Sequence, residues 1–312
     1  MIVHWGLAEL PDVLGKLRIL RPLLVASERW QIDVGAVARW SEVPTDRVGA
    51  AAQLAGDGVV AVGGGSAIDL GKAISAEADV PLVSVPTTYA GAEWTTYFGI
   101  RDSQRKMRGG GAGAHLGAAV YEPGLTLSLP REVTVGTAMN ALAHCAEALY
   151  VRGHNPPADD HALTGARLIG EWLPLVVESP HDFDARTKLM EGAMHAGMAL
   201  GGSMLALGHA MAQALGGRYG VPHGAMNALC LPQALQFNAS VAPDAVRRFR
   251  EAVGTDVAEL ARLGRFERLR DFDIPEEELG QVAAATVERA GAKANPRPAS
   301  AAEVERMLHN IY

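Results

Sequence analysis

The sequence predicts an α/β domain with a parallel sheet, followed by an all-helical domain. Over the first 130 residues, short apolar runs alternate with helical stretches, as in a parallel sheet with crossover helices. After Pro130 the helical patterns continue without a convincing strand, and alanine and methionine become abundant. A chain of 312 residues is long enough for two domains. We therefore expect an α/β domain over residues 1–130 and a helical domain over residues 131–312.

Four apolar runs of the first domain are predicted to be strands: residues 22–26, 58–62, 80–85 and 118–121. Three further stretches have helical patterns: residues 8–16, 47–55 and 67–76. Residues 101–114 are basic and rich in glycine, and we expect a mobile loop there.

The second domain is predicted to be built from helices alone. Five segments carry helical patterns: residues 133–151, 161–177, 185–215, 225–238 and 276–290.

The composition excludes several classes of function. With 28 Lys and Arg against 35 Asp and Glu, the formal net charge is −7, which argues against nucleic acid or an anionic membrane as the main partner. The first residues lack the pattern of a signal peptide, and no apolar segment is long enough to span a bilayer. Cys145 and Cys230 stand in apolar surroundings outside any Cys-x-x-Cys motif, so we expect buried thiols in a cytoplasmic protein.

Three glycines and a serine stand between a predicted strand and a predicted helix. Gly63, Gly64 and Gly65 let the backbone come close to a ligand, and Ser66 is suited to be the helix N-cap. Because a helix N-terminus attracts anions, we interpret this turn as a binding site for the pyrophosphate of a dinucleotide. The run is neither Gly-x-Gly-x-x-Gly nor a Walker-type phosphate loop, so a tight turn without a ligand is the alternative.

Three histidines of the predicted helical domain have apolar helical surroundings. Asn140 and His144 are four residues apart and share one face of a helix. His209 lies on another apolar helix, and His223 follows a break at Gly220. The three imidazoles could meet around a metal ion, since histidine is a common ligand of zinc and iron. The alternative for each is a core histidine that is held by a backbone carbonyl.

Several of these passages, taken together, resemble the iron-containing alcohol dehydrogenase family. They are Gly-Gly-Gly-Ser at residues 63–66 with Asp69 and Lys72, Val-Pro-Thr-Thr-Tyr-Ala-Gly-Ala-Glu at residues 85–93, and the helices that carry the histidines. Three passages look like the maleylacetate reductase branch: residues 86–91, residues 140–150 and Asn-Pro-Arg-Pro at residues 295–298. The chain is shorter than members usually are, so it is expected to lack the first strand or hairpin and some of the later helical region.

The resemblance implies a fold similar to that of dehydroquinate synthase, with a Rossmann-like dinucleotide-binding domain before a helical domain. It implies NAD(P)H in the cleft and hydride transfer to a small acidic carbonyl substrate. The residues that would bind the cofactor are Gly63, Gly64, Gly65, Ser66, Asp69, Thr87, Thr88 and Tyr89. A homodimer in the cytoplasm is also implied.

The candidate metal site departs from the pattern of the metal-dependent members. They carry Asp where Asn140 stands, and their three histidines match His144, His209 and His223. A neutral amide is a poor ligand for a divalent ion, so a metal-free site is favoured, with Fe or Zn on the three histidines as the alternative. The candidate catalytic residues are Asn140, His144, His209 and His223. Gln213 stands where relatives tend to carry another His, so His144 or His223 would have to supply a proton.

Arg108 and Gln213 are candidates for binding the substrate, and the guanidinium of Arg108 could pair with a carboxylate in a bidentate way. With Arg105 and Lys106, Arg108 forms a short basic run, and a solvated charge run is the alternative reading.

The favoured function is that of an NAD(P)H-dependent reductase that resembles maleylacetate reductase and acts on an oxo-acid from aromatic degradation. One alternative is a metal-dependent alcohol dehydrogenase for a simple aldehyde or alcohol. The other is a diverged, non-redox member that binds a nucleotide or a pathway intermediate.

Overall fold

The structure is a computed structural model that describes residues 1–312. It divides into two compact units, Met1–Thr126 and Leu127–Tyr312.

The first unit contains eight strands and three helices. The strands are β1 (Ile2–Trp5), β2 (Pro22–Val25), β3 (Ala38–Trp40), β4 (Gly58–Gly63), β5 (Pro81–Pro86), β6 (Phe98–Arg101), β7 (Met107–Gly111) and β8 (His115–Tyr121). The helices are α1 (Leu10–Lys16), α2 (Val48–Ala52) and α3 (Gly65–Ala78). Six strands form a parallel sheet in the order β1-β8-β5-β4-β2-β3, and β6 and β7 form an antiparallel hairpin.

The central strand β4 is buried on both faces of the sheet. Successive side chains of a strand point to opposite faces, and Val60 and Val62 accordingly pack in one apolar cluster while Val59 and Ala61 pack in another. Helix α3 comes close to this strand at Gly71, where an added Cβ would lie 2.6 Å from the Cβ of Ala61. The predicted α/β class and its four strands are confirmed.

The expected loop at residues 101–114 is wrong, because most of it belongs to the β6–β7 hairpin. The three consecutive glycines of β7 do not predict a strand, since glycine is depleted in strands. The Asp102 carboxylate stabilises the turn: Oδ1 accepts the N–H groups of Gln104 and Lys106, both at 2.9 Å. Oδ2 accepts a hydrogen bond from Nε of Arg108 at 2.7 Å.

Two further strands were not predicted. β1 pairs in parallel with β8 at one edge of the sheet. That the chain lacks a strand or hairpin which family members carry stays a prediction. β3 pairs with β2 at the other edge. Both are short and only partly buried, so neither has a long apolar run.

The second unit is helical throughout, as predicted. Its helices are α4 (Arg131–Tyr150), α5 (Pro156–Glu178), α6 (Phe183–Gly201), α7 (Leu207–Tyr219), α8 (His223–Asn238), α9 (Pro243–Val253), α10 (Val257–Arg262), α11 (Leu279–Val287), α12 (Ala290–Ala294) and α13 (Ala301–Asn310). The single helix expected over residues 185–215 is wrong: α6 ends at Gly201, and Gly202 and Ser203 lie in the break before α7. Helices α9, α10, α12 and α13 were not predicted.

Small residues allow the helices of the second unit to pack closely. Gly224 of α8 lies against the backbone of Gly136 in α4, so a side chain at position 224 would collide with it. Cys145 and Cys230 are both buried free thiols, as predicted, and burial raises the pKa of each well above its usual range. None of the helices is both long and apolar enough to span a membrane.

Candidate active site

The glycine turn (residues 63–65) joins β4 to α3 in the first unit. Gly63 has φ +152°, and Gly64 is the N-cap of α3, in an extended conformation without a side-chain hydrogen bond. The expected N-cap role of Ser66 is therefore wrong, because the helix already begins at Gly65. The first N–H groups of a helix have no partner within it, and its N-terminus favours negative charge. The turn therefore fits a phosphate group that approaches the backbone.

The segment after β5 lies beside this turn. The Thr87 N–H donates to the carbonyl of Gly63 at 3.0 Å. A Cβ on Gly64 would lie 2.9 Å from Cγ2 of Thr88, which is half-buried. Tyr89 is fully buried, and its hydroxyl lies 3.2 Å from Oγ1 of Thr126, to which it donates. The structure thus brings the threonines to the glycine turn, and the role of Tyr89 in cofactor binding stays a prediction.

Asp69 and Lys72 hold the β6–β7 hairpin and the preceding segment onto α3. Lys72 is 1% exposed, and its Nζ lies 2.7 Å from Oδ1 of Asp69. The same ammonium donates to the carbonyls of Ala92 and Tyr97 at 2.8 and 2.7 Å. Oδ2 of Asp69 accepts the N–H of Gly99 at 3.2 Å. These contacts give Asp69 a structural role, and its binding to a cofactor stays a prediction.

In the second unit, the structure brings His144, His209 and His223 together from three helices. We call these residues the histidine cluster. The rings of His144 on α4 and His209 on α7 stack, with centroids 4.7 Å apart and 14° between the ring planes. The centroids of His209 and His223, the first residue of α8, are 5.8 Å apart. His144 and His209 are buried, and His223 is half-buried.

Two amides connect the histidine cluster. Asn140 lies one turn before His144 on α4, with its Oδ1 3.3 Å from Nε2 of His209. Asn227, one turn after His223 on α8, donates from Nδ2 to Oδ1 of Asn140 at 2.8 Å and lies 3.0 Å from Nε2 of His223. Asn227 was missed in the sequence, although its spacing of four from His223 is the spacing that singled out Asn140.

Glu147 is the second residue that the sequence analysis missed. It lies on α4, three residues after His144, and is fully buried. Its Oε2 accepts the Ala206 N–H at 2.6 Å and faces Nδ1 of His209 at 2.8 Å. Its Oε1 accepts the backbone N–H of His209 at 3.0 Å. All three nitrogen atoms belong to the N-terminal end of α7 and the residue before it.

Burial and the neighbouring His209 and His223 hold the pKa of His144 well below its usual range. His144 is therefore a neutral imidazole at neutral pH. Its Nδ1 is buried without a hydrogen-bond partner.

That the histidine cluster works without a metal stays a prediction. No group of three His, Cys, Asp or Glu side chains in the chain is placed to hold a metal ion. Nδ1 of His209 faces Glu147, and the residue beside its Nε2 is a neutral amide. Neutral amide oxygens suit hard cations better than zinc or iron.

The two residues predicted to bind substrate lie in different units. Gln213 is on α7, one turn after His209, and is half-buried. Arg108 is on β7 and pairs with Asp102, with half of its side chain exposed. Binding of a substrate by either residue stays a prediction.

Comparison with known proteins identifies the family. The family described as "Iron-containing alcohol dehydrogenase" matches residues 11–118, and "Fe-containing alcohol dehydrogenase family, C-terminal" matches residues 134–312. The maleylacetate reductase of Burkholderia cepacia is 36% identical over 268 residues, covering 84% of this chain and 76% of that protein. The maleylacetate reductase of Pseudomonas knackmussii is 36% identical over 300 residues, covering 89% and 85%.

Solved structures agree with this result. The crystal structure of maleylacetate reductase from Rhizobium sp. strain MTP-10005 superposes with a TM-score of 0.89 at 28% identity and covers 100% of this chain and 95% of that one. The glycine turn, the histidine cluster and these relatives lead to one conclusion. The chain belongs to the iron-containing alcohol dehydrogenase family and is an NAD(P)-dependent oxidoreductase that resembles the maleylacetate reductases.

Proposed function

We propose that this enzyme reduces maleylacetate, or a closely related small oxo-acid from aromatic degradation, with NADH or NADPH. The observation that carries the proposal is the histidine cluster with its two amides, which lies among apolar helices and is buried except at the half-buried His223. Buried polar side chains are costly unless they are hydrogen-bonded. A buried cluster of polar and titratable side chains therefore favours a catalytic or binding role. The names of relatives that are 36% identical supply the substrate class.

In this proposal the first unit binds the dinucleotide and the second provides groups for the substrate. The N–H groups at the start of α3 bind the pyrophosphate, and Thr87 and Thr88 border the nicotinamide. NAD(P)H, when bound, supplies the hydride. His223, the most exposed member of the histidine cluster, donates a hydrogen bond or a proton where negative charge develops on the substrate.

Arg108 is proposed to bind a carboxylate of the substrate, a role that suits a guanidinium. In the structure this guanidinium pairs with Asp102, and the substrate would compete for it. We further propose that the enzyme is a cytoplasmic homodimer, as the family resemblance implies.

The test is oxidation of NADH and NADPH by the purified enzyme with maleylacetate, combined with metal analysis of the same sample. We expect turnover, and a loss on the order of 100-fold in kcat for His223→Asn. The exposed His181 is the matched control, and His181→Asn should keep the activity. Absence of turnover with every oxo-acid tested would refute the proposed substrate class.

A metal-dependent alcohol dehydrogenase is the second candidate, favoured by the closeness of the imidazoles, with ring centroids 4.7 Å apart for His144 and His209 and 5.8 Å apart for His209 and His223. Activity towards simple aldehydes that a chelator removes and Fe²⁺ or Zn²⁺ restores would establish it. Tight cofactor binding without turnover on any substrate would instead identify a non-redox member.

A further inference from the structure

Glu147 requires an explanation, because a fully buried carboxylate is costly unless its partners compensate it. Its partners lie at the N-terminal end of α7, where the positive end of the helix dipole favours a negative charge. The carboxylate therefore acts as a cap that one helix supplies to another. It fixes the first turn of α7, on which His209 lies.

Both oxygen atoms of Glu147 accept hydrogen bonds from backbone N–H groups. An amide in the same place would turn its NH₂ group towards an N–H donor, whichever way it was oriented. Only a carboxylate can accept at both positions. The N–H of Ala206 and the N–H of His209 thus require an acid at position 147.

The same carboxylate requires a proton on one particular nitrogen of the His209 ring. Nδ1 faces Oε2 of Glu147 at 2.8 Å, and an acceptor at that distance needs a proton on Nδ1. The other ring nitrogen, Nε2, faces Asn140 and the rest of the polar cluster. Gly208 leaves room for this arrangement, since an added Cβ would lie 3.0 Å from Oε1 of Glu147.

We propose that Glu147 is a positioning residue for the reductase. It fixes the orientation of the His209 ring and keeps a proton on Nδ1. Nε2 is then the ring atom that faces Asn140 and the other polar side chains of the cluster. The effect on catalysis rests on the proposed function, whereas the position of the ring proton does not.

The first experiment is two-dimensional ¹H–¹⁵N NMR of protein labelled at its histidine rings, with His209 assigned from a His209→Asn variant. We expect a protonated Nδ1 in the wild-type protein and a changed His209 pattern in Glu147→Gln. The control is Asp159→Asn, which removes another buried carboxylate of the second unit, one that pairs with Arg248. It should leave the His209 pattern unchanged.

The second experiment is steady-state kinetics of the same variants with NADH and maleylacetate. We expect Glu147→Gln to lower kcat on the order of 100-fold, with the KM for NADH changed less than about threefold. A merely structural defect would affect kcat and both KM values together. Gly208→Ala, which pushes against the carboxylate without removing it, should lower kcat in the same direction.

A wild-type His209 with an unprotonated Nδ1, or a Glu147→Gln enzyme with wild-type kcat, would overturn the proposal. If Glu147→Gln does not fold, the wild-type spectrum and the Gly208→Ala kinetics decide. If the wild-type enzyme reduces no oxo-acid, the proposed function fails, while the NMR comparison still tests the link between Glu147 and the ring proton.

Discussion

A hydrogen atom in place of a side chain at position 64 leaves the backbone of the glycine turn open. Replacing Gly64 by Ala would bring a Cβ to 2.9 Å from Cγ2 of Thr88 and crowd the start of α3. Overpacking of this kind costs about 1–3 kcal/mol. We expect the Kd for NADH to rise by about tenfold or more, measured by fluorescence titration. Gly15→Ala is the control, because the space around Gly15 is open and its helix tolerates alanine; equal Kd values for both variants would contradict the expectation.

Single residues were predictable from the sequence where they stood in a spacing or a run. The glycine turn and the pair Asn140–His144 were recognised for this reason. Glu147 and Asn227 are common residue types, and their importance depends on which helix they face. The N-cap prediction for Ser66 is wrong by two positions, since the N-cap is Gly64 and the helix begins at Gly65.

Among the elements, the β6–β7 hairpin depends on Asp102. Although partial burial opposes it, hydrogen bonds from Lys106 and Gln104 and the neighbouring Arg108 lower the pKa of this carboxyl. Asp102→Asn should weaken the turn, because an amide cannot accept from all these donors at once. Hydrogen exchange should become faster at Gln104 and Lys106, with no change in β4 and β5. Unchanged exchange in the hairpin would show that the carboxylate does not stabilise the turn.

The contact between α4 and α8 fixes the distance between two of the helices that carry the histidine cluster. Gly224 follows His223 directly and lies against Gly136, so Gly224→Ala should push α8 away from α4. We expect a destabilisation of about 1–3 kcal/mol and a loss of activity, measured by denaturant unfolding and by NADH oxidation. Gly217→Ala on α7 is the control, since its Cβ would make only an ordinary contact, at 3.7 Å, with Arg289.

The elements that were predicted are those with continuous apolar runs, such as β4 and β5, which are buried on nearly every residue. Edge strands are half-exposed and lack such runs, which explains why β1 and β3 were missed. The joined helix over residues 185–215 shows the opposite problem. Small residues continue through the break after Gly201, and only the folded chain shows that α6 and α7 are separate.

For the whole molecule, stability should depend on pH through a histidine pair outside the candidate site. Nδ1 of His161 on α5 and Nδ1 of His195 on α6 are 2.9 Å apart. Burial and the charge of His161 lower the pKa of His195 from 6.5, although Glu191 opposes this shift. The unfolded chain therefore binds a proton at this histidine more readily than the folded chain does. The contribution of neutral His195 to the free energy of unfolding is complete above pH 6.5 and is lost as the pH falls below that value.

His195→Gln should accordingly flatten the dependence of the unfolding free energy on pH between pH 5 and about 7. The measurement is urea denaturation at several pH values, with the exposed His181→Gln as the control. An unchanged slope in His195→Gln would show that the pair does not contribute.

The two buried cysteines can report local opening of the second unit. Cys145 lies on α4 and Cys230 on α8, and the first unit contains no cysteine. Alkylating reagents react with the thiolate form of cysteine. In the folded chain this form is suppressed, because burial raises the pKa of both thiols. The rate at which the native enzyme reacts with such a reagent therefore measures how fast the helices that carry the histidine cluster open. No label has to be added by mutation.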